Sequence, residues 1–143
     1  MSQHLRILIE EDSEDDAQLL LRELRRGGLE VDSRRVDTAD ALREALANQE
    51  WDLVISDFSL PQFSAPEALK LLQESGLDLP FIIVSGTIGE ETAVAALKAG
   101  AHDFLVKGSM PRLIPAIQRE LKDAETRRKR READEALLSA CGV

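Results

Sequence analysis

A chain of 143 residues, 43% apolar and 31% charged, has the make-up of one ordinary globular domain that can bury a sizeable core. Its formal net charge of −9 argues against direct binding to nucleic acid or to acidic membrane surfaces. No apolar run approaches the roughly 18 residues of a membrane-spanning helix. The start Met1-Ser-Gln-His lacks the pattern of a signal peptide, so a cytoplasmic location with no membrane partner is expected. One cysteine, Cys141, permits no internal disulfide and no cysteine-based zinc site, and reads as a stray thiol near the terminus.

Taken in chain order, strand and helix signals alternate five times. Ile7-Leu-Ile9 is a short β-branched run closed by Glu10-Glu11-Asp12. A helix over about 14–26 carries Leu19, Leu20 and Leu24 and stops at Gly27-Gly28. The more polar stretch Leu29–Val36 suits an edge strand, and Ala41, Leu42, Ala45 and Leu46 mark a helix over about 39–48. Leu53-Val-Ile55 ends at Asp57. Ser64-Ala-Pro-Glu67 is a capping box with proline in the first turn, opening a helix that ends near Gly76. Phe81–Val84 leads to Ser85. Thr87-Ile-Gly-Glu90 is a second capping box, for a helix ending at Gly100. Phe104-Leu-Val106 ends at Lys107, and a last helix opens near Ser109-Met-Pro111 with no later stop signal.

Uninterrupted apolar runs of this length are strands covered on both faces, as in a parallel sheet. The expected fold is therefore α/β, a flavodoxin-like (βα)5 three-layer sandwich with sheet order 2-1-3-4-5 and an extended C-terminal helix. That order gathers the ends of strands one, three and five at one mouth, where ligands of such sheets bind. Carboxylates and an amine held there are costly unless they meet. Asp57 is the candidate phosphoacceptor nucleophile, forming an acyl phosphate. Glu11 and Asp12, with Asp57 and the backbone carbonyl of Ser59, are candidate oxygen ligands for Mg²⁺. Lys107 and Ser85 are placed to meet phosphoryl oxygens.

These residues resemble the receiver domains of two-component response regulators over roughly 4–122. The matching stretches are Ile7-Leu-Ile-Glu-Glu-Asp12, Leu53–Pro61, Ile83-Val-Ser85-Gly-Thr87 and Ala99–Lys107. The resemblance implies that Asp57 takes its phosphoryl group from a histidine kinase or phosphotransfer protein. It also implies that Ser85 and Phe104 switch conformation afterwards. Beyond its own phosphorylation and dephosphorylation, no enzymatic activity is expected. The stretch Ser85–Glu91 looks like receivers fused ahead of sensory domains and kinase or cyclase outputs. Three departures stand out. Gly108 follows Lys107 where the family has a proline in a cis bond. Glu10 replaces the usual apolar residue, facing either the mouth as a third carboxylate or solvent at its rim. Ala65 stands where glycine is common.

The receiver is assigned to 1–122 and a helical extension to 123–143. Arg127-Arg-Lys-Arg-Arg131 is basic, yet residues 119–135 are close to charge balance, which reads as a solvated helix face. Ile114, Ile117, Leu121 and Ala124 follow a 3-4 spacing, with Leu138 back in register, which suggests a coiled-coil-like connector. A homodimer through this helix, and an output domain outside this chain, are expected. Two rival readings are a degenerate receiver used only for docking or dimerisation, and an aspartate-nucleophile phosphatase of the haloacid dehalogenase type. The second rival wants an aspartate two residues after the nucleophile, and Ser59 stands there.

Overall fold

Every apolar run named above becomes a strand. The computed structural model describes residues 4–58, 63–86 and 90–140. Ser59, Pro61, Thr87 and Cys141 lie outside them. The elements are β1 (His4–Glu10), α1 (Glu14–Arg26), β2 (Glu30–Val36), α2 (Ala39–Asn48), β3 (Leu53–Ser56), α3 (Ala65–Glu74), β4 (Phe81–Ser85), α4 (Glu90–Ala99) and β5 (Asp103–Val106). A 3-10 turn (Lys107–Arg112) then leads into α5 (Leu113–Ala140). All pairings are parallel and the order is β2-β1-β3-β4-β5, as expected.

The helix starts follow the side-chain chemistry. Ser13, Thr38 and Ser64 each accept a hydrogen bond from the backbone N–H three residues on, satisfying donors that the helix leaves unpaired. β1, β3 and β4 are buried on both faces, whereas β2 is the mostly exposed edge. Alternation along the inner strands therefore feeds two cores. Ile7, Ile9, Ile55 and Ile82 pack with Leu20, Leu24, Leu113 and Ile117 of α1 and α5. Leu8, Val54, Phe81 and Ile83 pack with Leu42, Phe63 and Leu69 on the other face. Trp51 belongs to this second core, its Nε1 donating to the Ala45 carbonyl at 2.9 Å.

The 3-4 stripe of α5 is consumed inside the domain. Ile117 is fully buried in the first core, and Ile114 and Leu121 pack against it. The packing is close at Gly27, where a Cβ would fall 2.6 Å from Ile114 Cγ1. This stretch of the stripe thus faces the domain's own sheet instead of a partner helix. Ile117→Ala is expected to lower stability by about 2–5 kcal/mol, the range for emptying a buried aliphatic site. Urea unfolding measures it, and a change below about 1 kcal/mol would contradict this packing.

Candidate functional site

The strand register sets the site. Glu10 pairs with Ser56, Ser56 with Ile83, and Ser85 with Val106, so β1 and β3 end level while β4 and β5 run two residues further at the same edge. Asp57 follows directly, its N–H donating to the Glu10 carbonyl at 3.0 Å. Lys107, first residue after β5, reaches back across the mouth. Its Nζ donates to Asp57 Oδ2 at 3.1 Å, to Asp16 Oδ2 at 3.2 Å and to Glu11 Oε1 at 3.4 Å. The meeting of Asp57, Glu11 and Lys107 expected from the strand ends is present.

The charges condition one another. Burial pushes the Glu11 carboxyl up to about 7, the Asp57 charge pushes the same way, and Lys107 opposes both. Burial disfavours the Lys107 ammonium, but its hydrogen bond to Asp57 and the charges of Asp57 and Glu11 outweigh that and raise it. One lysine thus shares two carboxylates from strand ends and one from α1. Among the described residues, no three His, Cys, Asp or Glu side chains form a ready-made metal cage. The donors present are nevertheless all oxygen. Burial first and then the Asp57 charge hold Glu11 up, and a small hard cation among these oxygens would offset that charge.

Asp12 is exposed beside this group, its N–H donating to Glu11 Oε2 at 3.0 Å. Ser85 is buried at the end of β4. Phe104 is half-buried in β5 and packs against the second core. Among the described residues every peptide bond is trans, including the one joining Lys107 to Gly108, and the lysine still reaches the mouth. A cavity of about 370 Å³ opens beside the site, with Ile9, Ile55, Val84 and Leu20 among its apolar lining and Asp57, Glu11 and Lys107 at its polar side.

Two residues differ from expectation. Glu10 is neither a third carboxylate at the mouth nor solvated at the rim, because it is fully buried. It shares a hydrogen bond with the Ser56 hydroxyl, while Oε1 has no partner among the described residues. Burial raises its carboxyl to about 8; the Ser56 bond opposes this, and Asp57, Glu67 and Glu11 add to it. Asp16, which is not among the candidate site residues named from the sequence, donates its N–H to Ser13 Oγ at 3.2 Å in the cap of α1. Its carboxylate also holds Lys107, and its place in the first turn after the acidic run was the signal available.

The comparisons agree with this geometry. The response regulator receiver domain model matches residues 7–118. The chain belongs to that family. It is 34% identical over 130 residues to the response regulator protein PilR of Pseudomonas aeruginosa, covering 90% of this chain and 28% of that protein. It is 35% identical over 102 residues to the transcriptional regulatory protein PrrA of Mycobacterium tuberculosis, covering 71% and 43%. The chain thus spans less than half the length of either relative. Among solved structures, NtrX from Brucella abortus superposes with a TM-score of 0.78 at 28% identity, covering 93% of this chain and 30% of that one. The signal receiver domain of a Luxo repressor protein from Vibrio parahaemolyticus gives 0.74 at 26%, covering 87% and 95%.

Proposed function

We propose that this chain is a phosphoacceptor that passes a two-component signal onward through Asp57. The observation that carries this reading is the Lys107 ammonium, after β5, shared between Asp57 and Glu11 at the ends of β3 and β1. An Asp57 carboxylate oxygen attacks the phosphorus of a phosphohistidine on a kinase or phosphotransfer protein. The new P–O bond forms as the P–N bond breaks, and the histidine nitrogen leaves with the bonding pair. Lys107 stays with Asp57 and meets the charge arriving on the phosphoryl oxygens, while Ser85 donates a hydrogen bond to one of them. Glu11, Asp12, Asp57 and the carbonyl of Ser59 would hold Mg²⁺, which offsets repulsion between carboxylate and phosphoryl group. Hydrolysis of the acyl phosphate resets the domain, and no other substrate is turned over.

In this reading Ser85 and Phe104 rearrange after phosphorylation and present a changed face to an output domain. No helix of the described residues is long and apolar enough to cross a membrane, and a cytoplasmic setting suits a kinase partner. A homodimer through the C-terminal helix would use the exposed Leu137 and Leu138, since Ile114, Ile117 and Leu121 are already occupied. Intact mass after incubation with acetyl phosphate tests the chemistry. One phosphoryl group gained with Mg²⁺, and none without it, is the expected result. No gain in either condition would instead favour a docking-only module.

A further inference from the structure

α5 does not simply project from the domain; it is tied to the domain's base well past its last core contact. Apolar packing against the first core ends at Leu121. About two to three helical turns further on, two arginines turn back to one carboxylate in the segment between α3 and β4. Arg127 donates to Asp78 from Nε at 3.1 Å to Oδ2 and from Nη2 at 3.2 Å to Oδ1, a bidentate grip. Arg131 adds Nη1 to Oδ2 at 2.7 Å. Their spacing of one turn puts both on the same helix face. By contrast, Arg128 with Glu132 and Lys129 with Glu125 pair along the helix itself.

A single exposed ion pair contributes little to stability. A carboxylate gripped by a planar fork and a second guanidinium fixes geometry as well as charge. Asp78 is also the less exposed partner, its side chain 28% accessible against 36% for Arg127 and 53% for Arg131. Burial alone would push its carboxyl up, but the two arginines hold it below the usual carboxylate range. Beyond this point Leu137 and Leu138 stand exposed.

We infer that Asp78, Arg127 and Arg131 form a joint that sets the direction in which α5 leaves the domain, and so where Leu137 and Leu138 are presented. The joint goes beyond the phosphoacceptor reading, and its test does not involve Asp57. The full chain carrying Cys141→Ser receives spin labels at positions 43 and 139. Mixed with excess unlabelled chain, so that only distances within one chain are read, this background is expected to give a single narrow distance distribution. In Asp78→Ala the distribution broadens about twofold, and amides of residues 128–138 exchange about fivefold faster while those of 113–121 are unchanged. Arg127→Ala with Arg131→Ala removes the same bonds from the helix side and gives the same result, which covers the case of an Asp78 variant that does not fold. An unchanged distribution and unchanged exchange in the arginine pair would overturn the joint.

Discussion

Asp57→Asn is expected to leave the protein folded and unable to take up a phosphoryl group. The amide keeps the size of the side chain but is neutral and not nucleophilic, so transfer from acetyl phosphate falls to background. Folding does not depend on this carboxylate. Asp57 is one of three carboxylates on Lys107, and its charge is among the causes that raise both Glu10 and Glu11. Removing it relieves repulsion at the mouth, and the urea midpoint should stay level or rise. Phosphate uptake by this variant at the wild-type rate would show that another residue is the acceptor.

Glu10 is expected to make the metal-free protein lose stability as pH rises from about 5 to 8. Its carboxyl titrates near 8 in the folded chain against an ordinary 4.5. Below 4.5 both folded and unfolded states hold the proton, and Glu10 imposes no pH-dependent penalty. Between the two values the unfolded chain releases a proton that the folded chain keeps, so each pH unit favours unfolding by about 1.36 kcal/mol. The loss reaches roughly 5 kcal/mol at most and levels off once the folded carboxyl also ionises. Glu10→Gln removes this titration and still offers a partner to Ser56, so it should be the more stable protein at pH 8. Glu11, raised to about 7, adds a slope of the same sign that remains in the variant. Urea midpoints of both proteins across this range decide the matter. Identical slopes would mean that Glu10 ionises normally in the folded state.

The strand order and the helix caps were legible because each rests on local rules. An apolar run closed by a charge reads as a buried strand, and Ser-x-x-Glu reads as a helix start. The meeting of Asp57, Glu11 and Lys107 followed from strand order alone. Glu10 was misread although parity was available: it lies two residues after Leu8, on the strand face that feeds the second core. The tie between Asp78 and the arginines spans about fifty residues of sequence, and no local pattern predicts it. The same holds for the stripe of α5, whose 3-4 spacing fits a partner helix and a domain core equally well. Spacing defines a face but not what covers it.

α5 runs without interruption from Leu113 to Ala140, its first turns seated in the core. A helix advances about 100° and 1.5 Å per residue. Anything joined rigidly to its far end therefore inherits an orientation counted in residues. One inserted residue would swing such a module by more than a quarter turn around the axis, whereas seven would bring it back to within about 20°. Chimeras built on this helix should accordingly alternate between working and failing with the helical period of about 3.6 residues, with a close return at seven.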